Sequence, residues 1–228
     1  MHKVVILADL GLVRTLFSSV GRQFNVTQVY DHFLKSLVGN DEELWRIFLY
    51  DADPYDGTQN SPISNTPIDF KSNPIYKTMT SFFSGIIHKD LVALRKGETK
   101  FRGWLLKDSA LKKLTSNPPV PLSDNDFKPN IQQKGVDIKI GLDVAWISEH
   151  NSISKIILVT ADSDFIPAMK FARRQGVQIA LIKAFDGTGS KLKAVSDDLA
   201  PALLEHADYI RNIKYVGSTA TSQWELFK

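Results

Sequence analysis

The sequence predicts an α/β fold in which a doubly wound, mainly parallel sheet is flanked by helices. Short apolar runs alternate with amphipathic segments through the second half of the chain, a pattern typical of strand–helix–strand units in a parallel sheet. The runs are continuously apolar, as expected of strands that are covered on both faces. Asp9 ends the apolar run at 3–8 and Asp162 lies shortly after the run at 156–159, at the sheet edge where ligands bind in such folds.

The first quarter of the chain contains two predicted strands with a helix between them. Residues 3–8 form a short apolar run that ends at Asp9, and residues 44–50 form a second one. Helical spacing of apolar residues predicts a helix over 27–38, and a glycine after it is a common helix stop. The acidic segment 51–57 is predicted to be the loop after the second strand.

The middle of the chain is less regular. Residues 58–74 are rich in Asn, Ser, Thr and Pro, which predicts a long irregular surface loop. A helical pattern covers 75–94, and 99–106 is predicted to be a strand. Residues 114–130 contain four prolines and are predicted to be another irregular connection.

The second half supplies the alternation that defines the fold class. Helices are predicted over 136–150, 164–175 and about 200–206, and strands over 156–159 and 177–182. A glycine follows the second of these helices, in the position that commonly ends a helix.

Composition excludes several classes of protein. The chain has 228 residues, 43% of them hydrophobic, so it can bury a full core in one large domain. No apolar run approaches the roughly 20 residues that span a bilayer, and the start is too short for a secretory signal. We therefore expect a cytoplasmic protein with no membrane partner.

The chemistry available to the chain is narrowed further by residues that it lacks. The absence of cysteine excludes disulfides, thiolate metal sites and a thiol nucleophile. Five scattered histidines without metal-ligand spacing argue against zinc. No glycine-rich phosphate loop and no G-x-G-x-x-G motif follow the first strand, which argues against kinase, NTPase and nicotinamide-binding functions.

A basic segment lies in the middle of the chain. Residues 89–113 contain eight basic side chains and three acids. Phe101 and Trp104 lie among these charges, and cations combined with aromatic rings suit a phosphate backbone with stacked bases. A solvated protein face has the same composition, so this alternative stays open.

Aspartates are the strongest functional signal. Asp162 and Asp164 lie in Val-Thr-Ala-Asp-Ser-Asp-Phe-Ile-Pro at 159–167, where a buried strand ends and a helix begins. Capping of that helix explains one acid but not two. Asp9 adds a third acid at a strand end.

Asp137 and Asp143 come from the helix predicted before this strand. They lie roughly 120° apart on an ideal helix, so they do not share a narrow stripe. A favourable charge in the first helical turn and a solvent-exposed residue are the respective alternatives.

A group of converging carboxylates needs protons or a cation. Two such charges about 4 Å apart repel by about 4 kcal/mol at an effective dielectric of 20. Hard oxygen ligands favour Mg²⁺ or Mn²⁺ over softer metals.

These motifs resemble the NYN domain, a branch of the PIN-like nuclease superfamily. The main likeness lies in Lys-Gly-Val-Asp-Ile-Lys-Ile-Gly-Leu-Asp at 134–143 followed by Leu-Val-Thr-Ala-Asp-Ser-Asp-Phe-Ile-Pro at 158–167. Supporting pieces are Arg-Ile-Phe-Leu-Tyr-Asp at 46–51 with Pro-Tyr-Asp-Gly at 54–57, and Leu-Arg-Lys-Gly at 94–97 with Phe-Arg-Gly-Trp at 101–104. The resemblance implies a Rossmann-like sheet and Mg²⁺- or Mn²⁺-dependent hydrolysis of RNA.

The resemblance also implies roles for individual residues. The catalytic, metal-binding acids would be Asp9, Asp143, Asp162 and Asp164, with Asp137 as a further metal ligand. The predicted RNA contacts are Arg95, Lys96, Lys100, Arg102 and Lys134. A single NYN/PIN-like domain is expected over 1–215, with the basic helix and strand segment at 75–113 inside it and a tail at 216–228.

The first strand departs from the family pattern. Members usually carry an Asp-Gly-x-Asn type motif there, whereas this chain has Asp-Leu-Gly-Leu at 9–12. Leu12 replaces an amide that could orient water or a phosphate oxygen, so we expect slow turnover. A catalytically weak RNA- or protein-binding module is the alternative, and a phosphohydrolase for small esters is a lesser one. The sequence leaves open DNA against RNA, endo- against exonuclease action, and homo-oligomer formation.

Overall fold

The computed structural model describes residues 2–115, 120–150, 152–190, 192, 201–217 and 223–227. Contacts divide the chain into two compact units. The first consists of Met1–Asp51, Phe82–Lys96 and Val136–Lys228, and the second of Ala52–Ser81 and Gly97–Gly135. The span expected to be one domain, residues 1–215, is thus shared between two units.

The described regular elements are as follows. The strands are β1 (His2–Asp9), β2 (Glu42–Ala52), β3 (Thr58–Asn60), β4 (Pro67–Asp69), β5 (Val92–Leu106), β6 (Phe127–Lys134), β7 (Lys155–Val159), β8 (Gln178–Phe185), β9 (Tyr209–Val216) and β10 (Gln223–Phe227). The α-helices are α1 (Leu10–Ser19), α2 (Pro74–Ile86), α3 (Asp108–Leu114), α4 (Val136–Glu149), α5 (Ile166–Arg174) and α6 (Pro201–Glu205). A π-helical segment covers Thr27–Leu34.

A large, mostly parallel sheet forms the centre of the first unit. Its strands follow the order β10-β9-β8-β7-β1-β2-β5. β1 is hydrogen-bonded in parallel to β2 on one side and to β7 on the other, and β8 and β9 continue the parallel arrangement. Residues 4–8 of β1 are fully buried, as expected of a central strand covered on both faces. The predicted fold class is confirmed.

Most of the predicted elements of this unit are present. The strands predicted at 3–8, 44–50, 156–159 and 177–182 correspond to β1, β2, β7 and β8, and the helices predicted at 136–150, 164–175 and 200–206 correspond to α4, α5 and α6. Residues 27–38, which were predicted to be helical, do contain a helical segment, but its first eight residues have π-helical hydrogen bonding.

The C-terminal residues differ from the predicted tail. Within 216–228, Gln223–Phe227 form β10, which pairs antiparallel with β9. Trp224 is 2% exposed, and its ring lies 5.4 Å from the Phe33 ring and 6.1 Å from the Phe17 ring. Burial of this large aromatic side chain stabilises the last strand.

Helix α1 was not predicted. It begins immediately after β1, and Asp9 caps it by accepting a hydrogen bond from the Gly11 N–H. Leu10, Val13 and Leu16 are buried at helical spacing, so an N-cap and an apolar stripe were both present in the sequence.

The second unit contains more regular structure than the sequence predicted. The hairpin β3–β4 lies inside the loop expected at 58–74, and β6 occupies the end of the connection expected at 114–130 and pairs antiparallel with the second part of β5. The long helix expected over 75–94 ends at Ile86, and β5 begins at Val92.

An aromatic cluster fills the second unit. The Phe70 ring lies 5.3 Å from the Tyr55 ring, and the Phe101 ring lies 5.5 Å from the Trp104 ring. Trp104 also donates its indole N–H to the Asn60 carbonyl at 2.9 Å. Phe101 and Trp104, which were predicted to stack on bases, are therefore engaged in packing within this unit.

A buried carboxylate connects three strands at the amino edge of the main sheet. Glu42 begins β2 and accepts hydrogen bonds from Lys155 of β7, at 2.6 Å, and from Arg211 of β9. Burial of Glu42 opposes ionisation, but these two cations hold its pKa at about 2. This ion-pair network joins strands that are far apart in sequence.

Among the described helices, none is both long and apolar enough to cross a membrane.

We predict that Glu42→Gln lowers the free energy of unfolding by about 3 kcal/mol at neutral pH, because it leaves the partly buried Lys155 and Arg211 without their counter-charge. The pKa of Glu42 is lowered on folding, so its contribution is complete above about 4.5 and is lost as the pH falls towards about 2. Urea unfolding at several pH values should show the difference between parent and variant shrinking over that interval. Glu43→Gln, at the exposed next position, should stay within about 0.5 kcal/mol of the parent.

Candidate active site at the carboxyl edge of the sheet

Acids from three strands lie at one edge of the sheet of the first unit. β1, β2 and β7 are parallel neighbours in which Asp9 is paired with Tyr50, and Ala8 with Val159. The carboxyl ends of these strands therefore lie side by side. Asp9 ends β1, Asp51 lies one residue before the end of β2, and Asp162 follows β7. Ligands of open α/β sheets bind at this edge.

Asp9 and Asp51 form a pair of neighbouring carboxylates. An oxygen of Asp9 accepts the Gly11 N–H at 2.7 Å, while Asp51 is 1% exposed and forms an ion pair with Arg14. Burial raises the pKa of Asp9; the Gly11 N–H opposes this rise and the negative charge of Asp51 adds to it. Arg14 thus pairs with Asp51, and its charge also acts on Asp9.

Gly11 keeps the Asp9 carboxylate in place. A Cβ atom at position 11 would lie 3.0 Å from the Asp9 oxygen. Only a residue without a side chain leaves room for the capping hydrogen bond at its present length.

Asp137, Asp162 and Asp164 form a second acidic group. Burial raises the pKa of Asp137, and the charges of Asp162 and Asp164 raise it further, so the three carboxylates lie within electrostatic reach of one another. Asp162 accepts the Asp164 N–H at 2.8 Å and caps the turn before α5. Capping therefore accounts for Asp162, while Asp164 is exposed in the first turn and does not serve as the cap.

Asp143 lies in a closed hydrogen-bond network instead of an open acidic group. It is 7% exposed. One of its oxygens accepts the Tyr50 hydroxyl at 2.8 Å and Nε of Arg95 at 2.9 Å, and the other accepts a terminal nitrogen of Arg95 at 2.6 Å. Burial and then the charge of Asp143 raise the pKa of Tyr50, which keeps its hydroxyl a donor.

These arrangements divide the predicted acids among separate groups. Within the described ranges, no three His, Cys, Asp or Glu side chains are grouped closely enough to hold a metal ion. The convergence of Asp9, Asp143, Asp162 and Asp164 expected from the sequence is therefore not found in the described part of the chain. Mutual repulsion of carboxylates favours such separation. Carboxylate oxygens remain the donor type that Mg²⁺ and Mn²⁺ prefer.

The predicted RNA contacts also fall into different settings. Arg95 is bound to Asp143, and the Lys96 ammonium lies 5.9 Å from the Phe83 ring centroid. The remaining three, Lys100, Arg102 and Lys134, are exposed on the paired strands β5 and β6 of the second unit. Sequence position alone did not separate these two groups.

Three residues of the edge were missed by the sequence analysis. Asp51 directly follows an apolar run, which is the same signal that identified Asp9. Tyr50 and Arg14 have no such signal in the sequence. The Tyr50 hydroxyl donates to Asp143 and the Arg14 guanidinium pairs with Asp51, and both partners are distant in sequence.

Fold and edge together define an α/β protein with a carboxylate-rich site at the end of a parallel sheet. The model of the NYN domain family matches residues 96–204, a little under half of the chain. This segment is similar to the NYN family, which is a PIN-like ribonuclease family, and the match confirms the resemblance predicted from the sequence. The match contains Asp137, Asp143, Asp162 and Asp164, whereas Asp9 precedes it.

One curated relative is similar over part of its length. The uncharacterized protein MJ0482 of Methanocaldococcus jannaschii is 31% identical over 71 residues, which are 31% of this chain and 30% of the relative. The matching stretch thus spans less than a third of that protein. No solved structure matches the chain.

We predict that the ion pair between Arg95 and Asp143 is energetically asymmetric. Arg95→Gln should lower the free energy of unfolding by about 2 kcal/mol, because it leaves a buried carboxylate with one hydroxyl donor. Asp143→Asn should cost about 1 kcal/mol, because the half-exposed Arg95 can be hydrated. The double variant should lose less than the sum of the two.

Urea unfolding of the parent, both single variants and the double variant measures this coupling. Arg46→Gln is the control, because Arg46 is exposed and should change stability by less than about 0.5 kcal/mol. Strict additivity would mean that the two side chains do not stabilise each other.

Proposed function

We propose that this protein is a divalent-metal-dependent ribonuclease that hydrolyses RNA phosphodiester bonds at the carboxyl edge of its sheet. The observation that carries the proposal is that two separate acidic groups, Asp9 with Asp51 and Asp137 with Asp162 and Asp164, lie at this edge. Burial and like charge raise the pKa of both Asp9 and Asp137. Raised pKa values of this kind are characteristic of functional sites. The similarity of the matched segment to the NYN family supports the same activity.

The residues at this edge suit Mg²⁺ or Mn²⁺. The acids that would hold the ion are Asp9, Asp162 and Asp164, with Asp137 and Asp143 as further ligands. When bound, such an ion polarises a phosphoryl oxygen and lowers the pKa of a coordinated water.

The protein groups fix the acids before substrate arrives. The Gly11 N–H holds Asp9, and the Asp164 N–H together with Thr160 orients the segment that carries Asp162. Fixed carboxylates need little rearrangement at the moment of reaction, which is the basis of electrostatic preorganisation.

The ion pair of Arg95 with Asp143 joins a predicted RNA contact to a predicted metal ligand. Its guanidinium binds the Asp143 carboxylate through two nitrogens, and the same fork geometry binds a phosphate. Transfer of Arg95 from Asp143 to an RNA phosphate would free the carboxylate and place a cation on the substrate. Both sequence-predicted roles therefore depend on opening one ion pair.

The exposed cations of the second unit supply further RNA contacts. Lys134 is paired with Glu98 across β5 and β6, and Lys100 with Gln132, so Lys100, Arg102 and Lys134 belong to one antiparallel strand pair. Exposed lysine and arginine side chains bind phosphates with release of counterions.

A catalytically weak RNA-binding module is the second candidate. Leu12 occupies the position of the usual family amide, and both oxygens of Asp143 already accept hydrogen bonds. Each feature would slow hydrolysis without preventing RNA binding.

We predict that Asp162→Asn lowers the rate of RNA cleavage in Mn²⁺ by about 100-fold or more, since changes to groups that merely support a metal ligand already cost about 10- to 100-fold. RNA affinity in chelator should stay equal or rise, because a negative charge has been removed. Glu149→Gln, an exposed acid on α4, should leave both quantities unchanged. Cleavage assays on single-stranded RNA, at high enzyme concentration and long incubation, provide the measurement.

Failure of the parent protein to cut RNA under these conditions, with binding intact, would favour the binding module. Equal cleavage by parent and Asp162→Asn would remove the acidic edge from the reaction.

We predict that reversing charge at Lys100, Arg102 and Lys134 weakens RNA binding and reduces its salt dependence. Each lost phosphate contact on a single strand should reduce the slope of log affinity against log salt by about 0.7. Single reversals should be compared with Lys170→Glu, an exposed lysine of α5, by fluorescence anisotropy at several salt concentrations. Unchanged affinity and slope in the triple variant would make this strand pair a solvated face.

A further inference from the structure

An open groove in the first unit has aromatic walls and includes Asp143 in its lining. Its volume is about 580 Å³, within the range of small-ligand sites. Its lining includes Trp45 and Phe48 of β2, Arg95 of β5, and Asp143 and Trp146 of α4. Asp143 makes this groove continuous with the network described above.

Of the aromatic side chains that line the groove, Phe48 is buried, whereas Trp45 and Trp146 keep accessible surface. Trp146 is 49% exposed. Its ring centroid lies 6.4 Å from that of Trp45, with an angle of 28° between the planes. This separation is near the outer limit for paired rings, so neither indole fully covers the other. The His150 ring, 4.4 Å from the Trp146 centroid, packs more closely on Trp146, and the exposed half of the Trp146 side chain is the part available to a ligand. An exposed indole that adjoins further apolar rings is typical of an interaction site.

The groove is positively charged as well as aromatic. Arg46 lines it, and the Arg46 guanidinium lies 5.7 Å from the Trp45 ring centroid. In the part of the chain that the structure describes, Arg46 has no ion-pair partner. The Arg95 guanidinium lies 5.6 Å from the Phe48 ring centroid. Flat apolar rings beside guanidinium groups suit a ligand that is itself flat and linked to an anion.

We infer that this groove binds an unpaired nucleobase of the RNA substrate, stacked against Trp146 and Trp45, with the adjoining phosphate on Arg46. The inference rests on the proposed function and extends it to single-stranded RNA as the substrate class. Stacking on aromatic rings tolerates any base, so the groove selects unpaired bases and not a sequence. Bases within a duplex are paired and stacked on each other, and cannot enter.

Binding measurements in chelator test this inference without requiring cleavage. The probe is a short fluorescein-labelled single-stranded RNA, compared with a duplex of the same sequence and with an abasic strand of equal length. Trp146→Ala should weaken binding of the single strand about tenfold and leave binding of the abasic strand unchanged. Trp146→Phe should retain most of the affinity, because a ring remains.

Two further variants separate stacking from charge and from the helix surface. Arg46→Gln should weaken binding of both single strands and reduce the salt slope, because it removes a phosphate contact. Ile138→Ala, at a 70% exposed position on the same helix but outside the groove lining, should bind RNA as the parent does. Circular dichroism of each variant checks that the fold persists.

The outcomes distinguish this inference from the proposed function. RNA binding by the parent that is lost in Trp146→Ala, without Mn²⁺-dependent cleavage, would support the groove and reject the nuclease. Cleavage by the parent with full RNA affinity in Trp146→Ala would support the nuclease and reject the groove. Absence of RNA binding by the parent would reject the groove. A shift from dimer to monomer in Trp146→Ala with unchanged RNA affinity would also reject it and would assign this surface to a second copy of the chain.

Discussion

The parallel hydrogen bonding of β1 with both β2 and β7 is the constraint on which the candidate site depends. It aligns the carboxyl ends of three strands and thereby places Asp9, Asp51 and Asp162 at the same edge of the sheet. A slip of one residue would exchange the faces of every side chain in the strand. The buried Glu42, with cations from β7 and β9, opposes such a slip at the other edge of the same sheet.

The sheet brings like charges together, and the protein neutralises only some of them. Arg14 pairs with Asp51 and Arg95 pairs with Asp143. Among the residues that the structure describes, no lysine or arginine forms an ion pair with Asp162 or Asp164. Charge left uncompensated at a strand end is a source of affinity for cations. The acids without arginine partners are therefore those most suited to an external ion, whereas Asp143 must first exchange its partner.

The sequence predicted those strands and site residues that are specified by neighbouring residues in the chain. Apolar runs identified β1, β2, β7 and β8, and acids at or shortly after the ends of such runs identified Asp9, Asp162 and Asp164. Strand β10 was missed because its formation depends on burying Trp224 against Phe17 and Phe33, which are about 200 positions away. The pairing of Arg95 with Asp143 and the stacking of Trp45 with Trp146 likewise join residues that no sequence window contains together. Spacing can nominate such side chains, but their partners are set by tertiary packing.

Strand order in the sheet has a consequence for the protein during its synthesis. Of the described strands, β1 comes earliest in the sequence and occupies the centre of the sheet, yet one of its two neighbours, β7, lies about 150 residues later in the chain. A nascent chain that ends before β7 has Asp9 and Asp51, one open strand edge, and no Asp162. Long-range pairing of this kind closes slowly and late. The complete acidic edge therefore forms only after β7 and the residues that follow it have been made.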